Sequence, residues 1–209
     1  MARYTDPLCR ICRAHGKKLF LKGDKCYTNK CPLERGRGLP GQKQVVLHFS
    51  KPSDYKIHLQ EKQRVKHMYG ILERQFRKYF EKAASQKKIP TGDKLLELLE
   101  RRLDNVVFRM GFAPNRRTAR QLVLHGHFLV NGKKVNIPSY IVKEGDVIEV
   151  KESSRQIPII KQTIESSPSI PSWLEVNAES FRGTVKQIPN IPELSLGINP
   201  TLIVELYSK

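Results

Sequence analysis

Four cysteines most constrain what this 209-residue chain can fold into, because all of them fall in one short stretch, "CRICRAHGKKLFLKGDKCYTNKC". The spacing is Cys9-x2-Cys12, then thirteen residues, then Cys26-x4-Cys31. Two close pairs separated by a short loop allow four thiolates to reach one tetrahedral ion. A segment of about thirty residues cannot bury a core sufficient to fold alone, so an ion would supply the missing stabilisation. The spacing predicts one structural zinc on Cys9, Cys12, Cys26 and Cys31, with free thiols as the alternative and disulfides last. Four sulfur ligands leave no open coordination position, so a catalytic metal is not expected.

The same stretch is dense in positive charge: Arg10, Arg13, Lys17, Lys18, Lys22, Lys25 and Lys30, with Arg3 just before it. Zinc with four thiolates is formally anionic, and neighbouring cations stabilise it while facing outward. The segment reads as a clasp for a phosphate backbone. The whole chain carries a net charge of +18, yet residues 151–209 hold six basic and six acidic groups and contribute nothing to it. The anion-seeking surface therefore belongs to the first three-quarters, built from periodic sequence rather than a lysine tail. That pattern favours nucleic acid over membrane as the partner. Apolar residues make up 39% of the chain, enough for true cores. No run approaches the length of a membrane span, and "MARYTDPLCR" has no signal-peptide hydrophobic region. A soluble cytoplasmic protein is expected, in which the reducing compartment disfavours disulfides.

Residues 36–52, "GRGLPGQKQVVLHFSKP", read as a Gly- and Pro-rich linker with a short extended piece at Val45–Phe49. "SDYKIHLQEKQRVKHMYG" is a helix stopped by Gly70, and "LERQFRKYFEKAAS" is a second, with Leu72, Phe76, Tyr79, Phe80 and Ala83 on one side. "KLLELLERRLDNVVFRMG" reads as one helical run through Leu95, Leu99, Leu103, Val106 and Met110. In "NRRTARQLVLHG", Asn115 is the N-cap and Gly126 the terminator. At about 100° per residue, Arg116, Arg117 and Arg120 share one arc and Ala119, Leu122 and Val123 another. The helix is expected to bury one side and offer three guanidinium groups on the other. "HFLVNGKKVNI" is a hairpin around Asn131-Gly132, followed at once by Lys133 and Lys134, and "YIVKEGDVIEVK" is a second strand–turn–strand. This compact basic unit has few aromatics for base stacking, so contacts to phosphates and helical shape are expected. Beyond it, "IPIIKQTIES" is a short helix with Pro158 in its first turn, "WLEVNAESFRGTVKQIP" a hairpin with Trp173 in the core. "NPTLIVELYS" is a terminal helix capped by Asn199. Its Leu202, Ile203 and Leu206 should dock on the helices of residues 53–84, which makes the central unit an insertion.

The stretches "SDYKIHLQEKQRVKHMYGILERQFRKYF", "LLERRLDNVVFRMGF", "RTARQLVLHGHFLVNGKKVNIPSYIV" and "LIVELYSK" resemble the S-four family of bacterial small-subunit ribosomal proteins, nearly end to end. The two central stretches are similar to the family's RNA-binding module. The cysteine set resembles the zinc-bearing version of its N-terminal segment. The resemblance implies a protein that binds 16S ribosomal RNA early, at a multi-helix junction, and nucleates assembly. It further implies a seat near the mRNA entry, a part in translational accuracy, and contact with neighbouring small-subunit proteins. The linker departs from the family's G-Q-H-G form, reading "GQKQVVLHFSKPSDY" with Lys43 in place of the histidine.

The expected fold is α+β: a zinc-binding basic segment over residues 1–45, a helical domain from 46–92 with 190–209, and an inserted α/β RNA-binding domain of helix–helix–hairpin type over 93–189, its core module near 100–150. Candidate RNA contacts are Arg3, Arg10, Arg13 and Lys30 in the clasp, Arg64 and Lys66 in the first long helix, and Arg116, Arg117, Arg120, His125, Lys133 and Lys134 in the module. An RNA-modifying or tRNA-charging enzyme with the same module is the alternative. It would need a catalytic domain, and the last sixty or so residues gather no such cluster. His15, His125 and His127 have no paired carboxylate or nucleophile nearby in sequence. No small-molecule substrate is expected. A zinc-dependent DNA regulator would need a recognition helix beside the cysteines, and "RAHGKKLFLKGD" is too broken to be one.

Overall fold

A computed structural model of the chain describes residues 4–41, 51–166, 169–194 and 196–208. Arg3, Lys43 and the Val45–Phe49 piece lie outside the described residues. In chain order the helices are α1 (Leu8–His15), α2 (Asp54–Met68), α3 (Glu73–Ala84), α4 (Thr91–Glu100), α5 (Leu103–Arg109), α6 (Arg116–Leu124), α7 (Pro158–Glu165) and α8 (Pro200–Tyr207). The strands are β1 (Phe128–Val130), β2 (Lys133–Lys134), β3 (Val147–Val150), β4 (Leu174–Asn177) and β5 (Arg182–Val185). The chain divides into two compact units, one of residues 1–92 with 197–209 and one of residues 93–196.

In the first unit α8 packs on α2. Asn199 caps α8 by accepting from the Thr201 amide, and Pro200 occupies the first turn, where no amide is needed. Ile203 is fully buried, with Leu202 and Leu206 partly so. The decisive anchor is Tyr207, which the apolar pattern did not single out. Its ring stacks on Phe80 with centroids 4.5 Å apart, and its hydroxyl donates to Glu73 Oε1 at 2.8 Å. The cysteine segment is sparser. Ile11, Cys12 and Leu19 form its buried cluster, with Tyr4, Leu8, Leu21 and Leu33 packed against it. Cys9 and Cys12 lie on α1, a helix the sequence did not announce; Pro7 stands at its N-cap and Gly16 closes it with φ +62°.

The second unit is built on a five-stranded antiparallel sheet in the order β2-β1-β3-β5-β4. Phe128 and Val130, Ile148 and Val150, and Leu174 and Val185 face one apolar cluster. Leu103, Val106 and Val107 of α5, Ala119, Leu122 and Val123 of α6, and Ile160 of α7 complete it. Full burial of each such large side chain stabilises by roughly 1.5–3 kcal/mol. Asn131 and Gly132 both take positive φ, +50° and +75°, as the tight β1–β2 turn requires. Trp173 is buried and Pro158 opens α7.

Two expectations are corrected. The run from Lys94 to Met110 is not one helix: it breaks at Arg101 and Arg102, the latter extended at φ −67°, ψ 138°. Long-range backbone pairing causes the break. Arg102 bridges to Ile141, Leu103 N–H donates to Tyr140 O, and Val142 N–H donates to Arg101 O. For the same reason residues 140–142 form a single bridge with that break, and only β3 survives of the expected second strand–turn–strand.

Candidate nucleic-acid interface

The start of α6 is fixed by Asn115, whose side chain accepts from the Thr118 amide at 2.9 Å. The helix lays its apolar side on the core as the wheel requires, but its arginines are not a shared outward arc. Arg120 is 5% exposed. Its guanidinium lies 3.8 Å from Asp104, itself held by Arg102 at 2.6 Å. Arg116 donates to Asn105 Oδ1 at 2.6 Å, lies over the Phe108 ring and sits 3.9 Å from Glu100. Glu100 is wholly buried and accepts from Arg109 at 2.9 and 3.0 Å. Buried carboxylates at the α4–α5 break therefore draw these arginines inward, because an unpaired charge there is costly. Arg117 remains partly exposed.

The basic side chains that reach solvent sit at the other end of the helix, on the hairpin and just after β3. His125, Lys133, Lys134 and Lys151 are all exposed. A Cβ at Gly126 would collide with Lys134 Cε, so the glycine lets the lysine stem lie over the turn that ends α6. His127 donates or accepts at Ser154 Oγ, 2.9 Å away. Burial lowers its pKa, and His125, Lys151 and Lys134 lower it further by positive charge. That effect marks these groups as one electropositive cluster. Lys151 was missed from sequence. Its amide donates to His127 O at 2.8 Å, a pairing invisible before β1 and β3 are known to be neighbours.

In the first unit the candidate contacts also divide. Arg10 and Lys30 are exposed. Arg13 instead straps the segment, donating to Gly38 O at 2.7 Å and Leu39 O at 3.0 Å. Arg64 is buried, donating to Glu61 at 2.7 Å and to the Gly197 carbonyl. Lys66 pairs with Glu73 at 3.0 Å. Arg64 is thus engaged by the terminal segment and Lys66 by α3, from different sides of α2. His15 and His67 share a ring-nitrogen hydrogen bond of 3.0 Å. Burial, the His15 ring and Lys66 hold His67 down at about 4, so His67 is neutral near pH 7, and burial and Arg64 lower the His15 pKa as well.

The four cysteines are free thiols, three of them buried and Cys9 partly so. Burial raises the Cys12 pKa, the Leu19 backbone hydrogen bond opposes this, and Cys26, Cys9 and Cys31 each raise it further by their charge. Among the described residues no three His, Cys, Asp or Glu side chains converge in a metal-holding group.

Residues 3–100 match the family described as ribosomal protein S4/S9 N-terminal domain, and residues 101–148 match the S4 domain. The small ribosomal subunit protein uS4 of Thermodesulfovibrio yellowstonii is 54% identical over 211 residues, and that of Thermoanaerobacter sp. (strain X514) is 55% identical over 209, each covering all of both chains. Protein uS4A of Symbiobacterium thermophilum is 53% identical over 210 residues, with the same coverage. The chain belongs to the uS4 family. Membership removes the enzyme alternative, since the uS4 proteins are structural constituents of a subunit. The S4-domain match covers α5, α6, β1 and β2, and with them Arg117, His125, Lys133 and Lys134 but not Lys151. No helix among the described residues is long and apolar enough to cross a membrane.

Proposed function

We propose that this chain is a primary RNA-binding constituent of the small ribosomal subunit in the cytoplasm, gripping 16S ribosomal RNA through its phosphates. The observation that carries this is the exposed basic cluster of His125, Lys133, Lys134 and Lys151, set on a well-packed core and poor in aromatics. Cations on rigid elements meet phosphates in fixed geometry, and such contacts position a protein on a shaped RNA without reading bases. Nucleation of assembly at a multi-helix junction, contact with neighbouring subunit proteins, a part in accuracy and a seat by the mRNA entry belong to the same reading.

Zinc belongs to it as well. The donor chemistry supports it: four free thiols sit in a segment whose apolar cluster is small, although in this structure no three of them converge. Cys9, Cys12, Cys26 and Cys31 are the residues that would hold the ion, which would supply cross-linking and no reaction step.

The test is the affinity of the full chain for a junction-containing fragment of small-subunit RNA over a range of salt. Alanine at Lys133 and at Lys134 should each flatten the log–log salt slope by about 0.7–0.9. An unchanged slope in the double variant would remove the hairpin from the interface.

A further inference from the structure

Phe20 and Tyr27 stack on each other at the surface of the cysteine segment, with ring centroids 5.0 Å apart and planes inclined by 29°. Phe20 is 39% exposed and Tyr27 72%. Neither ring belongs to the apolar cluster of Ile11, Cys12 and Leu19. Packing of the segment therefore does not account for them. Phe20 also holds φ at +51°, a conformation an aromatic residue rarely adopts. Such outliers persist where the surroundings impose them, often at contact sites. The Tyr27 amide donates to Asp24 O at 3.0 Å, at the end of the short 3-10 turn Gly23–Cys26 that sets the ring in place.

We propose that the Phe20–Tyr27 pair is a stacking platform for an unpaired nucleobase of RNA, on which Tyr27 presents the open face; this rests on the RNA-binding reading above. The surroundings select RNA over a protein partner. Lys17, Lys22, Lys25 and Lys30 are all exposed in the same short segment, and Asp24 is the one acid between residues 9 and 31. The central part of a protein–protein interface is depleted in lysine, whereas aromatic faces amid cations are how proteins hold unpaired bases. The platform would tell single-stranded from paired RNA, a distinction the phosphate-gripping cluster of the second unit does not make.

The experiment uses the full chain with zinc, a short mixed-sequence RNA single strand, and the same strand annealed to its complement. Tyr27→Leu should weaken single-strand binding by about tenfold, as loss of one base–aromatic stack does. The salt slope should stay unchanged, since no charge is removed. Duplex affinity should not move, and Tyr27→Trp should retain wild-type affinity. A Tyr27→Leu chain that binds the single strand like wild type overturns the platform and hands the patch to a protein partner. Equal losses on both RNAs, or a Tyr27→Trp chain as weak as Tyr27→Leu, also overturn it, because they report a damaged segment. Failure of the wild-type chain to bind either RNA is a separate result: it overturns the RNA reading first and the platform with it.

Discussion

In residues 4–41 the described buried cluster is Ile11, Cys12 and Leu19, whereas one apolar cluster of eighteen buried side chains, from Leu103 to Val185, surrounds the sheet of residues 93–196. Their charges differ as sharply. In the second unit Arg101, Arg102, Arg109, Arg116 and Arg120 turn toward carboxylates. In the first segment Arg10, Lys17, Lys22, Lys25 and Lys30 stay exposed. A region with a large core can afford to hold charges inside, because packing fixes the partners and desolvation is offset by several hydrogen bonds at once. A region with almost no core keeps its charges outside. Net charge alone, +18 for the chain, does not separate these two uses.

Metal removal should break the comparison most widely. With chelator, or with Cys12→Ser, residues 4–41 should lose amide-exchange protection while residues 93–196 keep theirs. The apparent binding free energy of a structural zinc, about 10–16 kcal/mol, is large beside what so small a core supplies. Elemental analysis of chain purified without added metal should give one zinc per chain, and a value near zero with the segment still protected would refute the expectation.

Removal of one internal carboxylate is the matching test in the second unit. Glu100→Ala or Asp104→Ala strips the partner from guanidinium groups held in the interior and should cost about 3–5 kcal/mol in urea unfolding. Exchange in α2 and α8 should stay as it was. A loss below about 1 kcal/mol would mean the arginines swing to solvent, restoring the outward arc the helical wheel suggests.

The smallest effect is a pH dependence confined to the first unit. Burial pushes the Glu73 carboxyl up, but hydrogen bonds from Lys62, Lys66 and Tyr207 outweigh it and hold the pKa at about 2 against an ordinary 4.5. A depressed carboxyl stabilises the fold fully above its unfolded pKa and loses that contribution as pH falls toward the folded one. The α2–α3–α8 packing should therefore weaken between about pH 4.5 and pH 2. Solvent screening keeps the effect modest, since the side chain is 45% exposed. Glu73→Gln should abolish that dependence in a series of thermal melts.

Much of this was legible from residue spacing. The α2 stop at Gly70, the Asn115 cap, the Asn131-Gly132 turn, Pro158 in the first turn of α7 and the Asn199 cap are local chemistry, and local chemistry is written in consecutive residues. The break at Arg102 was not legible, because it depends on pairing with residues near Ile141. The inward turn of Arg116 and Arg120 escaped for a related reason. A wheel gives the angle of a side chain and not what waits opposite it, and the carboxylates of Glu100 and Asp104 come from another helix pair. Tyr207 escaped because a polar-tipped aromatic at the end of a helix does not stand out by period.

The hydrogen bond from Tyr207 to Glu73 spans 134 residues of chain. During vectorial synthesis at about 5–20 residues per second, α2 and α3 wait roughly 7–27 seconds for the helix that covers them. The unit of residues 93–196 has all of its strands translated within that interval. The later-made unit can thus finish folding first, and the first-made helices mature last. Until then their apolar sides stand uncovered, which gives the nascent chain a window for chaperone capture that closes with the arrival of its final turn.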